Sequence, residues 1–551
     1  MITGIAIENF KGIRERVEIE LRPITLLFGA NSAGKSSIFH ALHYAREVFE
    51  RHNLSPDLTT VGGNAVDLGG FCNFVHGQDK DLPIRLTFQV STRDWSDFDA
   101  VGDLPTIDEF LQLGGFDCFG LCSQVGITIE IRWSETLQRP YVSALHNEVS
   151  GSDFLVVTSD FAGRRVELRI NSDHPTMTKI SAWRSANQDE TADDLVQTSE
   201  EQQSVLSACL SVFREFCQTT GDGGFFLENS ADALLVPRDH SDIPFSLRPF
   251  EEFPNLAQLY GVAPRPFISE VNDGIGRFLW PALRDICDFL ARLRHLGPLR
   301  EVPSRTYVPP SFPDDSRWAS GLGAWDRLVS ADDNLIEEVS SWLGDEDRLN
   351  SGYRLRLKRF KELDLSNPLV IQLMSGRAFD EAEADAKLNL NNLPTRSRLL
   401  IVTNNESVEL RPNDVGIGLS QLVPVIVTAL DGQNRLLAIE QPELHLHPKL
   451  QAELADLLIT SAKGATGHTL ILETHSELIP LRIMRRIRNS ADGHLPSHMP
   501  QVSSADVAIY YVETHQGTTV VRELELGEEG QLLDPWPEGF FEEGFRERFS
   551  S

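Results

Sequence analysis

The sequence predicts an α/β fold fed from both ends of the chain, and three observations predict it. Near the start, the apolar run "ITLLFG" enters a glycine-rich turn and then the helix-like "SSIFHALHYAREVFE". From about Leu399 onward, apolar strands again alternate with helical segments. Between these lies a long insertion that is β-rich first and mostly helical afterwards. Parallel α/β segments at both ends with an insertion between them suggest one head domain closed from its two termini.

The elements follow in order. "TGIAIENF" and "RVEIEL" alternate apolar and polar residues, as half-buried strands do, and "ITLLFG" reads as a fully buried strand. "PIRLTFQVS", "GITIEIRW", "DFLVVTSD" and "RRVELRIN" read as strands, with a hairpin turn at Asp160 to Gly163. Residues 187–203 are polar and acidic and read as a surface loop. Ser204 to Leu293 has a mostly helical pattern, and "HLGPLREVPSRTYVPPSFPDD" is an extended, proline-punctuated connector. The expected organisation is an N-terminal lobe over 1–172 with a β-rich subdomain, a mostly helical insertion over 173–295, and a C-terminal lobe over 296–551.

The 551 residues give ample core for several units of roughly 150 residues each. The longest apolar run, Leu422 to Leu430, is too short to span a bilayer and contains Pro424. "MITGIAIENFKGI" lacks the flank, core and cleavage site of a signal peptide. The six cysteines are scattered without zinc-ribbon spacing, and Cys118 and Cys122 read as core, so a reducing cytoplasm is expected. A net charge of −31 rules out a surface that attracts nucleic acid everywhere, so any DNA contact must come from local basic patches.

The chemistry-bearing stretch nearest the start is "LLFGANSAGKSS". Gly29, four residues, then Gly34-Lys35-Ser36 is the Walker A spacing. The glycines let the backbone N–H groups from Gly29 through Ala30, Asn31, Ser32, Ala33, Gly34, Lys35, Ser36 and Ser37 curl around phosphate oxygens. Lys35 reaches the β- and γ-phosphates, Ser36 takes one Mg²⁺ position, and the following helix N-terminus adds partial positive charge. The preceding strand and following helix supply the context that the motif requires.

Three further stretches lie in the last third of the chain. "NDVGIGLSQLVPVIV" places Gly416, Gly418, Ser420 and Gln421 before a helix, a second surface for an anion or an ordinary glycine turn. "LLAIEQPELHLHP" is an apolar strand ending in Glu440, an acid suited to hold Mg²⁺ directly or through water. Gln441 occupies the place of a water-polarising carboxylate, and an amide is a poor proton acceptor, so Glu443 becomes the stand-in base. "TLILETHSEL" is another apolar strand, ending at His475, which can contact a γ-phosphate or simply cap the next helix.

This order resembles the ABC-type ATPase heads of the SMC, RecF and OLD group, a P-loop fold. "IENFKGI", "DVGIGLSQLVPVI", "IEQPELHLHP", "LETHSELIPLRI", the connector "LGPLREVPSRTY" and the terminal "WPEGFFEE" look most similar to OLD-like AAA/ABC-type ATPases of bacteria. The recognisable blocks cover roughly the first 90 and last 260 residues. The resemblance implies ATP and Mg²⁺ as cofactors and a homodimer or higher homo-oligomer sandwiching ATP between two heads. It implies that Gly418 and Ser420 touch the γ-phosphate in trans, and that Gln78, in "FCNFVHGQDKD", acts as a Q-loop residue on the metal side. It also implies a separate effector protein as partner and a place in anti-phage defence. Two departures stand out. Gln441 replaces the glutamate of the ABC group, and the segment after His475 reads as a terminal hairpin and leaves no expected room for the Toprim nuclease domain of OLD proteins.

Other candidates are weaker. His445 and His447 flank no evident third zinc ligand and are better read as part of a loop facing a partner head. Arg354, Arg356 and Lys358 form a basic stripe along a strand, and Arg482, Arg485, Arg486 and Arg488 a second basic group, each either a DNA contact or a solvated face. Arg300 and Arg305 in the connector are candidates to approach the nucleotide or a dimer seam. The expected activity is slow or partner-gated ATP hydrolysis driving a dimeric switch on DNA or an effector. An ATP-bound scaffold is the alternative, and a nuclease with an unfamiliar site is a weaker one.

Overall fold

The computed structural model describes most of the chain; residues 93–122, 175–223, 230–244, 248–278, 376–392 and 537–551, with a few shorter stretches, lie outside the described residues. Those include the acidic loop over 187–203, Cys118, Cys122 and most of "WPEGFFEE". Two compact units are present. The first comprises Met1–Thr60, Val66–Leu293 and Ala508–Leu524, and the second Val61–Ala65, Arg294–Val507 and Glu525–Ser551.

The first unit opens with β1 (Ile2–Glu8), β2 (Val17–Glu20) and β3 (Ile24–Gly29). In β2, Val17 and Ile19 are buried while Glu18 and Glu20 face solvent, as the alternation predicts. All six residues of β3 are buried. Helix α1 (Lys35–Arg51) follows and buries Ile38, Phe39, Leu42, Ala45 and Phe49. Tyr44 stacks on Phe10 and meets Phe74 at a tilt, with ring centroids 5.8 and 4.5 Å away.

The β-rich subdomain contributes β4 (Ile84–Ser91), β5 (Gln124–Ser134), β6 (Arg139–Val149), β7 (Ser152–Ser159) and β8 (Val166–Ile170). Two more strands, β9 (Gly224–Asn229) and β10 (Phe245–Leu247), extend the same antiparallel sheet, whose order is β10-β9-β8-β7-β6-β5-β4-β1-β2. They lie in the stretch expected to be mostly helical. A short apolar run such as "FFLE" suits either structure, and pairing with β8 decides in favour of strand. A helical segment over 281–291 is described in the same stretch.

The second unit holds β11 (Leu293–Leu296), α2 (Leu322–Ser330) and α3 (Asp333–Gly344). An antiparallel sheet of β12 (Tyr353–Lys361), β13 (Thr395–Thr403) and β14 (Glu409–Leu410) comes next. Then α4 (Ile417–Leu430), β15 (Leu436–Glu440), α5 (Pro448–Lys463), β16 (Thr469–Glu473) and α6 (Leu478–Ala491) alternate. β15 lies between β11 and β16 and pairs parallel with β16, Glu440 opposite Glu473. Both strands are almost wholly buried, as a parallel sheet covered by helices requires.

α5 and α6 are clamped by ion pairs. Arg486 donates to both oxygens of Asp456 at 2.8 and 2.7 Å, and Arg482 reaches Asp456 and Glu453 at 2.9 Å each. Two arginines of the second basic group are thus spent on a helix pair, while Arg485 and Arg488 are exposed. Among the described residues no helix is long and apolar enough to cross a membrane.

The last strands complete the first unit. β17 (Val507–His515) and β18 (Thr518–Leu524) form the expected terminal hairpin, pairing His515 with Thr518. The linking Gln516 and Gly517 both have positive φ, 51° and 82°, as a two-residue hairpin turn matched to strand twist demands. β17 is the sheet neighbour of β3.

Candidate functional site

In the first unit, the loop between β3 and α1 is a backbone cradle. Gly29 (φ 146°), Ser32 (φ 62°) and Gly34 (φ 104°) all take left-handed conformations. A Cβ on Gly29 would lie 2.0 Å from the Val512 carbonyl oxygen, and one on Gly34 would lie 2.1 Å from the Thr519 hydroxyl, so only glycine fits. Thr519 braces the loop from below: its hydroxyl donates to the Ala33 carbonyl at 3.0 Å and its N–H to Gly12 at 2.8 Å.

Lys35 is buried, its Nζ donating to the carbonyls of Gly29 at 3.1 Å and Ala30 at 2.8 Å. No side chain caps the start of α1 at Gly34, and the Ser37 N–H donates to the Gly34 carbonyl at 3.0 Å. Asn31 and Ser32 are exposed, and Ser36 and Ser37 half-buried. A cradle closed to Cβ atoms, an uncapped helix start and a lysine folded over it fit a polyphosphate. Gln78 ends a short turn (His76–Gln78) of the same unit, exposed, with φ 58°.

In the second unit, Glu440 closes β15, and its Oε1 lies 2.8 Å from His295 Nε2. Gln441 adopts φ 45°, which turns the chain sharply, and its N–H donates to the Glu473 carbonyl at 2.7 Å. Glu443 is buried; its Oε1 accepts the His475 N–H at 2.7 Å, and Oε2 has no hydrogen-bond partner among the described residues. Burial pushes its carboxyl above the usual carboxylate range, against the His475 N–H, the Thr474 hydroxyl and the charge of Arg300. His475 is half-buried, with Nε2 3.9 Å from Glu473 Oε1. The N-cap position of α6 is Glu477, which makes no side-chain cap, and Ser476 Oγ accepts from the Leu478 N–H at 3.1 Å.

The glycine turn before α4 divides into two faces. Gly416 has open space where a Cβ would point, and Ile417 is 60% exposed. Gly418 packs on the His445 carbonyl, where a Cβ would approach to 2.7 Å. Ser420 and Gln421 face inward. Ser420 Oγ donates to Ile417 at 2.9 Å, and the Gln421 amide pairs with the Arg300 backbone, donating at 2.6 Å and accepting at 3.1 Å.

Arg300 is itself buried rather than presented at a surface. Nη2 donates to the carbonyls of Glu440 at 2.7 Å and Gln441 at 3.1 Å, and burial lowers its pKa to about 10. Arg305 is exposed and pairs with Asp414 at 2.5 Å. His447 caps α5, its Nδ1 accepting from the Lys449 N–H at 3.3 Å. On β12, Arg356 and Lys358 both pair with Glu409, at 3.1 and 2.5 Å, and Arg354 with Asp345, which offsets much of the stripe's charge.

Sequence reasoning missed His295 and the task of Arg300. The signal available was the placement of both in the connector block "RHLGPLRE", at whose ends a buried strand gives way to proline.

Residues 1–98 match a family model described as an AAA ATPase domain. Residues 321–482 match an AAA domain model named for the AbiEii toxin of a type IV TA system, and 502–547 match a family of unknown function, DUF3696. No curated protein matches the chain. Among solved structures, the SMC head domain from Thermotoga maritima is similar at 8% identity and TM-score 0.34, over 95% of this chain and 99% of that one. An SMC head bound to the C-winged helix domain of ScpA gives 11% and 0.34, over 95% and 98%. An SMC head with an extended coiled coil bound to the C-terminal domain of ScpA, derived from Pyrococcus furiosus, gives 10% and 0.32, over 95% and 96%. At these TM-scores the fold rests on the observed topology and the two AAA matches. The Walker A loop falls in one AAA-matched stretch, and the acidic strand and the histidine in the other: the chain carries AAA-type ATPase domain sequence in two stretches that stand far apart.

Proposed function

We propose that the protein is a nucleotide-dependent switch, a homodimer that binds ATP, hydrolyses it slowly or only when a partner permits, and acts on DNA or on a separate effector. The observation that supports the nucleotide half is the loop from Gly29 to Ser37, where two glycines admit no Cβ and Lys35 is folded over the backbone. The observation that supports slow turnover is Gln441 at the end of the acidic strand.

In this reading the loop N–H groups and Lys35 hold the β- and γ-phosphates. Ser36 is the Mg²⁺ candidate of the first unit, with Gln78 a further one, and Glu440 is that of the second; Mg²⁺ would supply charge neutralisation at the phosphates. Gly416 and Gly418 open a helix N-terminus suited to an anion, with Ser420 and Gln421 the inward-facing partners of that turn. Glu443 accepts the proton of the attacking water, and its raised pKa makes it a better acceptor than an ordinary carboxylate. His475 reports the γ-phosphate. The toxin–antitoxin description of the matched AAA model supports a role in bacterial anti-phage defence.

A second reading, an ATP-bound scaffold that assembles partners, is favoured by the same Gln441. One experiment separates them: ATP binding, turnover and native mass with and without ATP, for wild type and Lys35→Ala. Lys35-dependent multiple turnover with an ATP-dependent doubling of mass supports the switch. Lys35-dependent binding without turnover supports the scaffold, and a wild type that neither binds nor hydrolyses ATP sinks both.

A further inference from the structure

We propose that Arg300 is a positioning residue for the acidic turn and that, through Gln421, it ties the backbone of Glu440 and Gln441 to the placement of helix α4. This deepens the ATPase reading and rests on it.

The bonding pattern is unusual for an arginine. Its guanidinium reaches no carboxylate within hydrogen-bond distance among the described residues; it donates to two successive carbonyls, Glu440 at 2.7 Å and Gln441 at 3.1 Å, and to Gln421 O at 3.5 Å. Arg300 is only 4% exposed, and its Nε is buried without a partner among the described residues. Burying a cation against carbonyls alone is a costly way to add stability. It is a good way to fix geometry, because the planar guanidinium holds Nη2 on the Glu440 and Gln441 carbonyls while Nη1 points at the Gln421 carbonyl, three directions set by one rigid group.

The other end is equally fixed. Gln421 offers its amide as a peptide mimic: Nε2 donates to the Arg300 carbonyl at 2.6 Å, and Oε1 accepts the Arg300 N–H at 3.1 Å. Gly321, at φ 79°, leaves just enough room for the arginine stem, since a Cβ there would meet Arg300 Cβ at 3.0 Å. The turn held by the fork needs support, because Gln441 sits at φ 45°, sparsely populated for a non-glycine residue.

A chain of direct bonds therefore runs from α4, whose N-terminal turn exposes Gly416 and Ile417, through Gln421 and Arg300 to the turn that carries Glu440. A shift of α4 changes the acidic turn in the same unit. A ligand or partner at the α4 N-terminus would act on the hydrolysis rate by that route, with no new contact to the phosphates.

The test uses the full chain with ATP as probe and compares wild type, Arg300→Lys, Gln421→Leu and the double variant. Each single variant is expected to lower kcat roughly tenfold while changing ATP affinity by less than about threefold, and the double variant should be no slower than the slower single. Losses that multiply, losses that fall on affinity, or wild-type kcat in both singles would overturn the proposal. Should Arg300→Lys fail to fold by thermal melt, Gln421→Leu alone decides: reduced kcat at unchanged affinity supports the tie, and wild-type kcat overturns it. A wild type without Lys35-dependent turnover would instead sink the ATPase reading on which this role depends.

Discussion

Glu443 Oε1 lies 2.7 Å from the backbone nitrogen of His475 and accepts its hydrogen bond. The residue that could stand in for the missing acid at 441 thus also holds the end of the histidine strand. Glutamine at 443 can still accept that bond but cannot take a proton. We expect Glu443→Gln to keep the fold and lower kcat by roughly a hundredfold. Glu443→Ala should in addition cost about 1–3 kcal/mol of stability, from the buried N–H it leaves unmet. Steady-state rates and urea unfolding check both, and near-normal turnover in Glu443→Gln would remove Glu443 as the base.

Gln441→Glu restores a carboxylate at the end of β15. If the amide limits the rate, hydrolysis should rise by roughly tenfold or more. The left-handed backbone at this position is held by the Glu473 carbonyl and the Arg300 fork, neither of which needs the amide side chain. An unchanged rate would mean that the proton leaves by another group.

The cradle predicts two failures in the first unit. Gly29→Ala forces a Cβ against the Val512 carbonyl at a φ that costs about 1–3 kcal/mol for other residues, so ATP binding should be lost and the melting temperature lowered. Thr519→Val keeps the shape but deletes the donor to Ala33; ATP affinity should fall several-fold and Thr519→Ser should restore it. Equal affinity in Thr519→Val and wild type would show that the brace does not shape the loop.

His468 supplies a pH signature. It is buried, its Nδ1 accepts the Arg435 N–H at 3.1 Å, and its pKa is pushed down to about 4 by burial, with the Arg294 and Arg435 charges adding to the shift and Asp431 opposing it. The unfolded chain binds this proton near pH 6.5, the fold only near 4. Its contribution to stability is therefore complete above about pH 6.5 and is lost as the pH falls toward 4. The urea midpoint should drop between pH 7 and pH 5, and His468→Gln should flatten the drop.

What the sequence made legible was local. β3, α1, β15 and β16 announce themselves by apolar runs and glycine spacing, and the terminal hairpin by its Gln516-Gly517 turn. β9 and β10 were not legible, because their strand character comes from pairing, β9 with β8 and β10 with β9. The inward turn of Ser420 and Gln421 was hidden for a different reason. α4 is apolar nearly all round, so its periodicity cannot say which side faces the core. His295 meets Glu440 across 145 residues and Arg300 meets Gln421 across 121, and no spacing rule connects such partners.

The bond from Thr519 to Ala33 joins residues 486 positions apart. At translation rates of roughly 5–20 residues per second, the phosphate loop leaves the ribosome on the order of half a minute or more before the strand that braces it. During that interval the nascent chain carries β3 without its β17 neighbour. The newborn protein should therefore be a better client for chaperones than a binder of ATP, and nucleotide would become a ligand only after β18 has been made.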